Sequence, residues 1–110
     1  MPHAELKYSS DLTLDAPRLL RVIEETINLV DPGAGACKGR AYPSDEYHHT
    51  HLLVDVSMLT KPHRDAAFTV GIRNDLERAI KACLTERCYF SLAISYSDDI
   101  YITNEFVPDV

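Results

Sequence analysis

His49-Thr50-His51-Leu52-Leu53-Val54-Asp55-Val56-Ser57-Met58-Leu59 decides the architecture. The run alternates. Leu52, Val54, Val56 and Met58 fall on one side, and His51, Leu53, Asp55 and Ser57 on the other. Period-two alternation is the signature of a strand with one buried face, and the first set is the expected core face. Downstream, Thr60-Lys61-Pro62-His63-Arg64-Asp65 ends the strand. Phe68, Ile72, Leu76, Ile80, Cys83 and Leu84 then recur at helical spacing, which predicts a helix to about Glu86. Gly71 weakens that helix by about 1 kcal/mol relative to Ala. Residues 89–96 alternate again and read as a strand.

The upstream half repeats the order. Residues 3–8 read as a strand, broken by Ser9-Ser10-Asp11. Asp15 is positioned to cap a helix opening with Ala16-Pro17, whose apolar face is Leu19, Leu20, Ile23, Ile27 and Val30. Asp31-Pro32-Gly33 stops it. A short strand is expected near residues 36–42. The fold class is therefore α/β in two layers (α+β): two β-α-β units forming one sheet, with both helices on one face. Residues 1–110 are read as one domain. The second sheet face, expected to carry Leu6, Tyr8 or their neighbours and Leu53, calls for cover by self-association. Ile100-Tyr101-Ile102 in the tail reads as a strand-like piece suited to another subunit's sheet edge.

The chain has 110 residues and a formal net charge of −6. That charge disfavours nucleic acid or an anionic membrane as partner. No apolar run approaches the ~20 residues of a membrane span, and the start lacks the pattern of a signal peptide. The three cysteines, Cys37, Cys83 and Cys88, form no CxxC pair and read as reduced cytoplasmic thiols.

Two features carry chemistry. The chain opens Met1-Pro2-His3. Removal of Met1 would turn the Pro2 nitrogen from an amide into a secondary amine, able to act as a base near neutral pH. Cations gather at segment ends: Lys38 and Arg40 before a strand, Lys61, His63 and Arg64 before the second helix. Such groups can hold a carboxylate and a developing enolate. His48, His49 and His51 invite a zinc reading, with His49 and His51 expected on one strand face, but no further ligand is evident and no metal is assigned. Tyr42, Tyr47, Tyr89, Tyr96 and Tyr101 are candidates to line an apolar pocket.

These residues together give a resemblance. Met1-Pro2-His3 before a strand, then Ser9-Ser10-Asp11-Leu12, the basic segment Ala36-Cys37-Lys38-Gly39-Arg40, and the strand Leu52–Leu59 followed by Arg64 and a long helix resemble the 5-carboxymethyl-2-hydroxymuconate isomerases. These form a branch of the tautomerase superfamily that uses an amino-terminal proline. The likeness runs to about Tyr96. It implies a fold like that of macrophage migration inhibitory factor, a homotrimer, no cofactor, and a place in aromatic compound catabolism in the cytoplasm. It also implies ketonisation of a small carboxylated dienol or 2-keto acid. Pro2 would be the base, and Lys38, Arg40 and Arg64 would bind the substrate carboxylate. Lys38 stands where the family has arginine, which keeps the charge and loses the planar fork. The chain is also shorter around 42–48. A non-catalytic trimeric homologue that retains Met1 is the alternative. Decarboxylation or hydration, with protonated Pro2 as an acid, is a third.

Overall fold

The computed structural model describes residues 1–109. Chain order is β1 (His3–Ser9), α1 (Ala16–Val30), a 3-10 turn (Pro32–Ala34), β2 (Lys38–Ser44), β3 (His51–Met58), α2 (Ala66–Lys81) and β4 (Tyr89–Tyr96). The four strands form one sheet in the order β2-β1-β3-β4. β1 pairs parallel with β2, β3 pairs parallel with β4, and the two halves meet antiparallel at β1 and β3. Two β-α-β units with both helices on one sheet face are thus what the alternating and helical periods predicted.

Local chemistry sets the boundaries. The Asp15 carboxylate accepts from the Arg18 N–H at 3.2 Å, and the Asp65 carboxylate accepts from the Phe68 N–H at 2.8 Å. Each satisfies a donor that the first helical turn leaves free. Leu19, Ile23 and Ile27 of α1 and Ile72, Leu76 and Ile80 of α2 are buried against Ala4, Leu6, Val54 and Val56 of the sheet. Leu52, Val54, Val56 and Met58 are all buried, as the alternation required. β2 comes close to α1 through Gly39. A Cβ there would lie 2.7 Å from Leu20 Cδ2, so a side chain at that point would displace the end of the Leu20 side chain.

Leu6 and Tyr8 sit opposite Val54 and Leu52, so they share the helix-covered face rather than the open one. The open face is instead mainly polar, with His3, Glu5, Lys7, His51, Asp55 and Ser57 beside Leu53. Two expectations are corrected. α2 ends at Lys81, not near Glu86, and Cys83 lies half-buried in the turn beyond it. Residues 100–102 form no strand among the described residues. Ile100 and Ile102 are 89% and 81% exposed.

Gly71 is in the middle of α2, exposed, and a Cβ built on it meets nothing within 4 Å. Gly71→Ala is therefore expected to raise stability by about 0.5–1 kcal/mol, mainly by restricting the unfolded chain. A shift of the urea midpoint to higher concentration at unchanged slope is the check.

Candidate active site at the amino-terminal end of the sheet

Pro2 leads into β1, and its ring is fully buried on the helix side. Its carbonyl accepts from the Lys38 N–H at 3.0 Å, which fastens the first residues of the chain to the start of β2. The C-terminal end of β3 lies alongside, because β1 and β3 run antiparallel. The parallel β3–β4 pairing brings Ser95 and Tyr96 to the same end. A pocket of about 190 Å³ results, lined by Met1, Ser57, Met58, Ser95, Tyr96, Ser97 and Tyr101. Its lining side chains are all uncharged. The Tyr96 hydroxyl is fixed at 2.6 Å from Thr69 Oγ1 on α2. Thr60 donates to the Ser97 carbonyl and holds the exit of β4 against the exit of β3.

The charges around this end are positive. Burial, then the charges of Lys38, Arg64 and Lys61, hold the terminal ammonium below its ordinary 8.0; Cys37 opposes this weakly. His3 is held below its ordinary 6.5 by burial and by the Lys38 and Arg40 charges. The structure therefore brings Lys38, Arg64 and Lys61 within electrostatic reach of the chain start. Burial pushes the Cys37 thiol up to about 11, too high for a reactive thiolate.

The three cations named from sequence differ in their surroundings. The Lys38 Nζ is buried and meets no hydrogen-bond partner. Arg40 donates from Nη2 to Glu5 Oε1 at 2.8 Å, and its Nη1 lies 3.4 Å from His3 Nδ1. Arg64 is buried, with Nε and Nη2 donating to Asp31 Oδ2 at 2.9 and 2.8 Å and Nη1 to the Leu59 carbonyl at 2.7 Å. His63 Nε2 lies 3.0 Å from the same Asp31 oxygen. A substrate carboxylate would meet Arg64 only after Asp31 had released it.

Sequence reasoning did not find the neutral pocket, nor Asp31 as the partner of Arg64. Asp31 read only as a helix stop, and 33 residues separate the pair. Of the five tyrosines named from the sequence, Tyr96 and Tyr101 line this pocket, while Tyr42 and Tyr47 line a groove elsewhere on the sheet. His49 lies outside β3, in a bend with φ of +66°, so it does not share a strand face with His51. No cluster of three or more metal-ligating side chains occurs among the described residues.

No protein-family model matches the chain, and no curated protein matches it by sequence. Solved structures do match. A 5-carboxymethyl-2-hydroxymuconate delta-isomerase superposes with a TM-score of 0.79 at 19% identity, over 96% of this chain and 89% of the other. A 5-carboxymethyl-2-hydroxymuconate isomerase from Deinococcus radiodurans R1 gives 0.74 at 19% identity, over 94% and 88%. A macrophage migration inhibitory factor-like protein from Entamoeba histolytica gives 0.65 at 12% identity, over 94% and 95%. The chain has the duplicated β-α-β fold of tautomerase-type proteins. Its particular form of that fold is the one seen in the 5-carboxymethyl-2-hydroxymuconate isomerase structures, as the sequence resemblance implied.

The Asp31 carboxyl is buried, which alone would raise its pKa. Hydrogen bonds with His63 and Arg64 outweigh that and hold it below its ordinary 3.8. A depressed folded value contributes stability that is present above pH 3.8 and lost as pH falls through the folded pKa. Asp31→Asn should cost about 3 kcal/mol at pH 7, because it leaves the Arg64 charge buried without its counter-ion. The variant should also lose the part of the acid-unfolding limb below pH 3.8 that belongs to Asp31. Urea unfolding of both proteins at pH 7 and pH 3 tests both statements: the gap between them should narrow at the lower pH.

Proposed function

We propose that the protein is an isomerase that ketonises a small carboxylated dienol or 2-keto acid, with Pro2 as general base once Met1 is removed. The observation that carries this is the junction at the start of β1. Met1, bonded to Pro2, lines a neutral pocket, and the cations of Lys38, Arg64 and Lys61 bear on the chain terminus. The tautomerase-type fold supports it, although fold alone does not fix chemistry. The free Pro2 amine takes the enol hydroxyl proton. The O–H bond breaks, the carbonyl forms, and the displaced π electrons take the same proton back at carbon. Lys38 supplies a cation for the substrate carboxylate. Arg40 and Arg64, already paired with Glu5 and Asp31, contribute through their fields and through the shape they hold. The proposed assembly is a homotrimer, which would cover the open sheet face, and the proposed compartment is the cytoplasm.

A second reading rests on Met1 itself. With Met1 in place the Pro2 nitrogen is an amide, the Pro2 ring is fully buried, and Met1 lines the pocket. A chain that kept Met1 would be a ligand-binding or structural homologue without proline chemistry.

Intact mass of the protein from its native host separates the two, since only loss of one methionine frees the amine. On the Met1-free protein, Pro2→Ala is expected to lower kcat/KM for ketonisation of 2-hydroxymuconate and 2-hydroxypenta-2,4-dienoate by about 10²–10⁴-fold. It should leave gel-filtration volume unchanged. An unimpaired Pro2→Ala enzyme would end the proposal.

The pH profile gives an independent check. Lys38, Arg64 and Lys61 bear on the chain terminus and would disfavour a protonated amine there, so kcat/KM should rise with pH through a value below that of an amino-terminal proline in an unfolded peptide. Lys38→Met removes one of those cations. The limb should then move to higher pH, because protonation becomes easier.

A further inference from the structure

A second cavity lies at the far end of the sheet. β3 and β4 pair in parallel from His51 and Tyr89 to Met58 and Tyr96. Their first residues therefore lie roughly 20–25 Å from the strand ends beside Met1, at about 3.3 Å per residue. The cavity has a volume of about 290 Å³ and is lined by His49, Thr50, Arg87, Cys88 and Tyr89. It shares no residue with the pocket beside Met1.

Its hydrogen-bonding balance is one-sided. The Thr50 hydroxyl donates to Asp11, and the Thr50 carbonyl accepts from the Tyr89 N–H. The His49 carbonyl accepts from His51 Nδ1. Glu86, next to Arg87 in sequence, accepts from the Thr13 N–H. Arg87 is left with no ion pair among the described residues, so its fork of N–H donors lines the cavity without a counter-charge. Rings supply the rest of the lining. The His49 ring meets the Tyr89 ring edge-on, 5.8 Å between centroids, and lies 4.0 Å from the His48 ring. Tyr89 is 70% exposed, so much of it is uncovered by the protein.

We propose that this cavity is an ancillary site for a small aromatic monocarboxylate, with the carboxylate on Arg87 and the ring against Tyr89 and His49. A planar guanidinium matches a planar carboxylate through two parallel hydrogen bonds. A phosphate dianion would call for a second cation, and Arg87 is the only permanently charged group in the lining. Arg87 is exposed, so charge attraction alone holds an anion weakly. Selectivity then comes from the ring contact, which an aliphatic acid of the same size lacks. The seat makes no use of Pro2 and is independent of the isomerase reading.

The test is a titration of the isotopically labelled protein with benzoate, followed through its backbone amide shifts. Saturable changes are expected at His49, Thr50, Arg87, Cys88 and Tyr89. Cyclohexanecarboxylate has the same charge and no aromatic face, and should bind about threefold more weakly. Arg87→Met should weaken benzoate about fivefold, and Arg87→Lys, which keeps the charge and loses the fork, should restore only part of that. Cys88 gives a second readout: saturating benzoate should slow its alkylation by iodoacetamide, followed by peptide mass. Shift changes confined to the Pro2 end, no saturable change, equal affinity for the two acids, indifference to Arg87→Met, or unprotected Cys88 would each overturn the proposal.

Discussion

The contact on which this end of the molecule depends is the buried pair Asp31–Arg64. Asp31 follows the last turn of α1, and Arg64 lies just before α2. The guanidinium also takes the Leu59 carbonyl at the exit of β3. One side chain thus joins the end of the first helix, the end of a central strand and the approach to the second helix. It also keeps a positive charge beside the chain terminus without leaving that charge free. Buried ion pairs add little net stability, because desolvation offsets attraction. The value of this one lies in geometry: it fixes three segment ends that must coincide for the terminal residues of β1 to have defined surroundings.

The duplicated pattern explains why those ends coincide. Each half is a strand, a helix and a parallel strand, and the halves meet antiparallel through β1 and β3. Antiparallel pairing brings the start of β1 to the end of β3. Parallel pairing then brings the end of β4 to the same place. The start of β1 therefore sits where the ends of β3 and β4 meet. Segment ends, unlike strand middles, can present unpaired backbone and freely chosen side chains without disturbing the ladder.

Much of this was legible in the sequence, because periodicity is a local property. The alternation of Leu52, Val54, Val56 and Met58 and the helical spacing of Leu19, Ile23 and Ile27 each record one buried face. Whether Leu6 and Tyr8 or their neighbours take the open face is not legible in β1 alone, because the face of a strand depends on its register with a partner. A run of seven residues does not carry that information. The same limit applied to charge. Lys38, Arg40 and Arg64 were visible as cations, but their availability depends on Glu5 and Asp31, which folding brings to two of them. Asp31 looked like punctuation after a helix. Its role appears only when residue 64 is folded back onto it.

The contrast between Lys38 and the two arginines bears on how the site is poised. Planar guanidinium groups suit fixed, multidentate pairing, and Arg64 is used that way inside the protein, whereas Arg40 pairs with Glu5 at the surface. A lysine ammonium is a point charge on a flexible stem, able to meet an anion from more than one direction. An unpaired buried ammonium is a local strain on the folded state, tolerated where the surrounding structure over-determines the position. Here β1–β2 pairing and the Pro2 carbonyl fix the Lys38 backbone regardless of what its side chain meets. The fold therefore holds a charge in place that it does not itself satisfy.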